Sequence, residues 1–172
     1  MMRVASIVVA LVVFSACDLI KFETGTNDTA VPEDPCFAST EAGAGGQQVF
    51  AGGGALVAVW DGGSADFANE LWLAEPTEVV IGTLHETAPG TEVSLGSPEA
   101  GVELVFALTN PYGETWRTGP ANRNDDGEVH ARVVRMDDDT YRVGFEDLAG
   151  VGDSDFNDAC FSVRGSVSLL GG

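Results

Sequence analysis

The sequence predicts an all-β domain, an antiparallel β-sandwich of jelly-roll-like type with about eight to nine strands. Three observations carry that expectation. From residue 36 onward, clusters of Gly, Pro, Asn and Asp interrupt short apolar runs at fairly regular spacing, the punctuation of many short strands. Several of those runs alternate apolar and polar residues, the period of a strand with one buried face. No segment sustains a helical period, and no internal repeat is visible.

Strands are expected at residues 47–50, 55–60, 70–74, 78–84, 91–95, 102–108, 128–136, 140–146 and 160–169. The run 55–60 is apolar on both sides and suits a central strand. In 102–108, Val102, Leu104, Phe106 and Leu108 share one face; in 140–146, Tyr141, Val143 and Phe145 do the same. The stretch 160–169 reads as one strand, with Phe161, Val163, Val167 and Leu169 on one side and Ser162, Arg164, Ser166 and Ser168 on the other. Only 65–73 offers room for a turn of helix. His130 falls within an expected strand and reads as a packed, hydrogen-bonded residue. Trp60 reads as core, whereas Trp116, in a polar loop with Glu114 and Arg117, reads as exposed.

Ahead of the domain, Met1-Met2-Arg3 forms a short positive segment, and residues 4–16 are uncharged and almost wholly apolar. That stretch is shorter than the about 20 residues a membrane-spanning helix needs, and it has the size of a signal-peptide core. It ends in Phe14-Ser15-Ala16-Cys17, which resembles the lipobox of bacterial lipoproteins, with Phe14 in place of the usual Leu or Val. The resemblance implies cleavage after residue 16 and acylation of Cys17. The chain would then be anchored at the cell envelope through its lipid. The outer membrane or cell surface is favoured, although Asp18 resembles an inner-membrane retention signal. Residues 17–35, rich in Thr, Asp and Pro, read as the lipidated cysteine and a flexible tether, and 36–172 as the sandwich domain.

Setting Cys17 aside leaves Cys36 and Cys160, which an oxidising compartment joins most simply as one disulfide, two free buried thiols being the alternative. Closing so long a loop contributes roughly 4 kcal/mol in the chain-entropy view.

The formal charge of -19 keeps the protein soluble and repels nucleic acid, while offering many hard oxygen ligands to divalent cations. Those ligands concentrate in 144–158, GFEDLAGVGDSDFND. Asp153-x-Asp155-x-Asn157 looks like the opening of an EF-hand calcium loop. The match stops there, because Asp158 stands where that loop needs glycine and Arg164 where it needs its bidentate glutamate. Remaining ligands must come from elsewhere: Glu146 and Asp147 are nearest, and a second acidic turn at 122–127 brings Asn124 and Asp126. The alternative is a solvated loop in which Asp and Asn serve as turn formers.

Gly119-Pro120, residues 124–127, His130-Ala131, GFEDL at 144–148 and D-x-DFND at 153–158 together resemble domain of unknown function 4114, a bacterial export family. Glu70-Leu-Trp-Leu73, Val93-Ser-Leu-Gly96 and Gly101-Val-Glu-Leu104 agree with it, so the resemblance covers most of 47–167. It implies a β-sandwich and a calcium site built from the acidic loops, and it implies no activity. Asp125 stands where the family pattern has Pro, and the lipoprotein-like start replaces the family's C-terminal sorting tail.

The sequence contains no Gly-x-Ser-x-Gly, HExxH, phosphate-binding loop or redox CxxC. Acids are so abundant that no pair singles itself out for glycoside hydrolysis. The reading is therefore a non-catalytic, envelope-anchored, calcium-stabilised sandwich acting as a structural or adhesion-type module, with a surface protein or glycan as partner. The alternative is a jelly-roll carbohydrate-binding module that uses Trp116; a glycosidase is a distant third.

Overall fold

Eleven strands and no α-helix occupy the residues that the computed structural model describes, 36–37 and 45–171. The expected signal peptide at 1–16, the lipidation site Cys17 and the tether 17–35 lie outside the described residues. Among the described residues no helix is long and apolar enough to cross a membrane.

The strands form two antiparallel sheets. One comprises β1 (Gln48–Ala51), β3 (Glu70–Glu75), β4 (Val79–Thr83), β6 (Glu103–Thr109), β7 (Thr115–Arg117) and β11 (Val167–Leu170). Its order is β11-β1-β6-β3-β4, and β7 pairs with the end of β6. The other comprises β2 (Leu56–Gly62), β5 (Glu92–Gly96), β8 (Ala131–Arg135), β9 (Thr140–Phe145) and β10 (Ala159–Arg164), in the order β5-β2-β10-β9-β8. The two inner faces meet in one apolar core. Leu71, Leu73, Leu104, Phe106 and Leu108 come from the first sheet, and Leu56, Trp60, Tyr141, Val143, Phe145, Phe161 and Val163 from the second. Phe106 and Phe161 meet edge to face with ring centroids 4.9 Å apart, a favoured aromatic geometry.

As its two-sided apolar pattern requires, β2 is hydrogen-bonded on both edges, to β5 and β10. The expected strand 160–169 is instead two strands in different sheets. The chain leaves β10 at Arg164, turns through Gly165 at φ 122°, and enters the opposite sheet as β11 beside β1. Both halves send alternate residues into the same core, so the apolar period runs through the crossing unbroken. Residues 65–73 hold no helical turn; they lead directly into β3. The polar segment around Trp116 contains β7, which is paired to Ala107, Leu108 and Thr109.

Cys36 and Cys160 are joined by a disulfide, with Cα atoms 5.6 Å apart. Cys160, Val134 and Phe156 form a small apolar cluster with Cys36 and Phe37, separate from the main core. Arg142 Nη1 donates to the Cys36 carbonyl at 2.8 Å, so this segment is fixed to β9 as well as to β10.

Candidate metal centre

Residues 146–158 connect β9 to β10, and the two ends are clamped where Asp158 N–H donates to the Phe145 carbonyl. Gly144 permits this closure, because a side chain there would run into the Phe156 carbonyl oxygen and the Phe37 ring. Three non-glycine residues in the loop have positive φ: Val151 at 65°, Ser154 at 64° and Phe156 at 61°. That conformation is rare for a β-branched residue such as Val151, and each such position costs about 1–3 kcal/mol that its surroundings must offset.

Glu146 lies under this loop, 1% exposed. Its Oε1 accepts from Phe156 N–H at 2.5 Å, and a Cβ on Gly152, where φ is +42°, would sit 2.8 Å from its Oε2. Glu146, Asp153 and Asp155 each offer a carboxylate oxygen, all within 4.8 Å of one another. Such separations match oxygens arranged around one Ca²⁺, which takes six to eight at about 2.3–2.6 Å. Burial pushes the Glu146 carboxyl up to about 7, and the charges of Asp158, Asp155 and Asp153 push the same way. A buried carboxylate facing three others needs either a proton or a cation. The donor set is entirely oxygen, which fits a hard divalent ion.

The other expected ligands serve the scaffold. Asn124 is buried; its Oδ1 accepts from Arg117 N–H and its Nδ2 donates to the Glu128 carbonyl, which ties the second acidic turn to β7. Asp126 accepts from Glu128 N–H, from Gly150 N–H and from His130 Nε2 at 2.8 Å, so it joins that turn to the 146–158 loop. Burial alone would raise its carboxyl, but these hydrogen bonds outweigh burial and hold it at about 2. Asp147 accepts from Asn69 Nδ2 at 2.6 Å through Oδ2, and its carbonyl accepts from Asn110 Nδ2 and Trp116 Nε1. Asp158 Oδ2 accepts from Asp147 N–H at 2.8 Å. Asn157 donates to Asp155 through both backbone and side chain, and its Oδ1 accepts from the Ser64 hydroxyl.

His130 is fully buried just ahead of β8, with both ring nitrogens facing oxygens: the Glu146 carbonyl at Nδ1 and Asp126 at Nε2. Trp116, expected at the surface, is 4% exposed and stacks on His130 with ring centroids 3.8 Å apart. Its position on β7 and the hydrogen bond from its indole to Asp147 account for the burial. Trp116 is therefore part of the wall behind the acidic loops and is not available as a sugar platform. Asn69 and Asn110, which no sequence motif marks, hold Asp147 from the segments flanking β3 and β6. The one available cue was that Asn69 immediately precedes the Glu70-Leu-Trp-Leu73 segment.

The fold and this loop cluster define an all-β sandwich domain with a carboxylate-rich loop closed over a buried glutamate. Residues 99–166 match the family described as Domain of unknown function (DUF4114), so the resemblance read from GFEDL and D-x-DFND is shown over the stretch holding both acidic loops. No curated protein and no solved structure matches the chain.

Proposed function

We propose that this protein is a calcium-stabilised β-sandwich held at the bacterial envelope through a lipidated Cys17, acting as a non-catalytic structural or adhesion-type surface module. The outer membrane or cell surface is the favoured location. The observation that carries the reading is the buried Glu146 carboxylate gathered with Asp153 and Asp155 beneath a loop of unfavourable backbone conformation. Calcium, when bound, supplies the positive charge that lets these carboxylates stay ionised together. The chain does the rest: Gly152 lets the loop close on Glu146, Phe156 N–H orients one oxygen, and the Asp126–Gly150 hydrogen bond ties down the far side of the turn. Binding at one hundred times the dissociation constant stabilises the fold by about 2.7 kcal/mol.

Two experiments test the reading. Melting in chelator should occur several degrees below melting in calcium, with magnesium less effective, and Asp155→Ala should remove most of the difference. Cys17→Ser should move the protein from the membrane fraction to the soluble one. A melting curve indifferent to chelation contradicts the calcium role, and unchanged membrane fractionation contradicts the anchor.

A carbohydrate-binding role has one feature in its favour. Tyr112, 73% exposed, meets Phe67 edge to face with ring centroids 5.3 Å apart, an aromatic surface of the kind sugars stack on. Glycan-array binding abolished by Tyr112→Ala would favour that role over the structural one.

A further inference from the structure

The outer face of the first sheet carries a strip of side chains that the acidic loops do not use. Leu71 and Leu73 of β3 enter the core, so Trp72 between them faces outward, and it is partly exposed. The other two tryptophans, Trp60 and Trp116, are buried. Trp72 pairs across the sheet with Ala107 of β6, yet its indole N–H donates to Thr109 Oγ1, two residues further along that strand, at 3.2 Å. A threonine hydroxyl stands one bond from its Cβ, so this contact holds the ring down across β6. Ala107 lies on the outer side of β6, between the core residues Phe106 and Leu108, and is completely covered. The indole therefore lies along the sheet with one ring face turned outward.

Hydroxyls continue the strip. Thr109 and Thr115 share one hydrogen bond, Oγ1 to Oγ1 at 3.0 Å. Two hydroxyl protons with one bond between them leave one proton without an acceptor among the described residues. The same two threonines pair at the base of the β6–β7 turn, which carries the exposed Tyr112 against Phe67. Two aromatic surfaces thus flank a pair of hydroxyls. A pyranose packs its C–H face on an aromatic ring and presents hydroxyls at its rim, so it fits both kinds of group. Glu70 stands directly across from Thr109 and Arg117 directly across from Ala107, one acid and one base that offset each other. The whole chain carries -19, which repels a second copy and any acidic polymer. An uncharged polysaccharide meets neither penalty.

We propose that this face, from Trp72 through Thr109 and Thr115 to Tyr112, binds a neutral polysaccharide. The inference rests on the carbohydrate reading of Tyr112 and adds Trp72 as a second, separate platform, with Thr109 positioning its ring.

The test is electrophoresis of the full-length chain in detergent with calcium, through native gels cast with soluble β-glucan, xylan, mannan or glycol chitin. Polygalacturonate serves as the acidic comparison. At least one neutral polysaccharide should retard the wild type and shift its tryptophan fluorescence, a signal that belongs to Trp72 because the other two indoles are buried. Trp72→Ala and Tyr112→Ala should each weaken the retardation at least about tenfold. Thr109→Val, which keeps the shape and releases the indole, should weaken it several-fold. Trp72→Phe keeps a ring and should recover part of the binding, which separates a lost platform from a lost fold. Retardation kept in Trp72→Ala and lost in Tyr112→Ala overturns the Trp72 platform and leaves the carbohydrate reading standing. Retardation by no polysaccharide, or by polygalacturonate alone, overturns both. Dimers in sedimentation that Trp72→Ala dissolves would make this face a contact between copies and overturn the proposal equally.

Discussion

In the calcium-free protein, raising the pH from 5 to 8 should destabilise the fold, and the size of the effect follows from Glu146. Its carboxyl has an ordinary value of 4.5 and stands at about 7 in the folded chain, because burial and the neighbouring acids disfavour its charge. A carboxyl raised by folding binds its proton more tightly in the native state. Its contribution is therefore fully present below pH 4.5 and is lost as the pH rises through 7. At 1.36 kcal/mol per pH unit the loss is on the order of 3 kcal/mol, or on the order of 10 °C in melting temperature for a domain of this size. Asp158, raised to about 6 mainly by burial, acts in the same direction. Asp126, held at about 2, acts in the opposite direction, but only below pH 4 and so outside this window. Urea denaturation followed by tryptophan fluorescence on resin-stripped protein measures the slope. Saturating calcium should flatten it by holding the ionised form, and Glu146→Gln should reduce it without calcium, leaving the part that Asp158 contributes. Stability that is constant or rising from pH 5 to 8 in stripped protein would refute the placement of Glu146 as a buried member of an acidic cluster.

Three further outcomes follow from the packing. Trp116→Ala should cost about 3–5 kcal/mol, as for a buried core tryptophan, while Tyr112→Ala at the surface should stay within about 0.5 kcal/mol; denaturant midpoints compare the two. Replacing Cys36 and Cys160 together by alanine should lower stability by roughly 5 kcal/mol, the value expected for releasing a loop with a sequence separation of 124, read from the same curves. Gly152→Ala combines an unfavourable φ with a methyl group against Glu146 Oε2, so it should destabilise by about 1 kcal/mol or more and weaken calcium binding measured by calorimetry.

The sandwich was legible because strands with one buried face write their period into the chain. Leu104, Phe106 and Leu108, and Tyr141, Val143 and Phe145, all reach the core as their alternation required. The same rule concealed the crossing at Gly165, because β10 and β11 face one core from opposite sheets and the period has no break to mark the change. Trp116 was misread because its polar neighbours suggest a loop; β7 is three residues long, too short to display a period of its own. In the acidic loops, residue types and spacing located the cluster and could not assign roles within it. Asp126 and Asn124 satisfy backbone donors in turns, which is the commoner work of such residues, while Glu146 is driven beneath the loop by its place at the end of β9. Asn69 lies far from the motif in sequence and meets it only in the folded chain, where its Nδ2 donates to Asp147, information that no local pattern holds.

Calorimetric titration of the metal-stripped chain with calcium, with Asp155→Ala as the matched control, decides whether the loop over Glu146 is a calcium site. Saturable binding to the wild type, a matching rise in melting temperature, and loss of most of that rise in the variant are expected. Absence of binding heat together with a melting curve that calcium does not move would contradict the calcium site, and the loop over Glu146 would then be held by protons and hydrogen bonds alone.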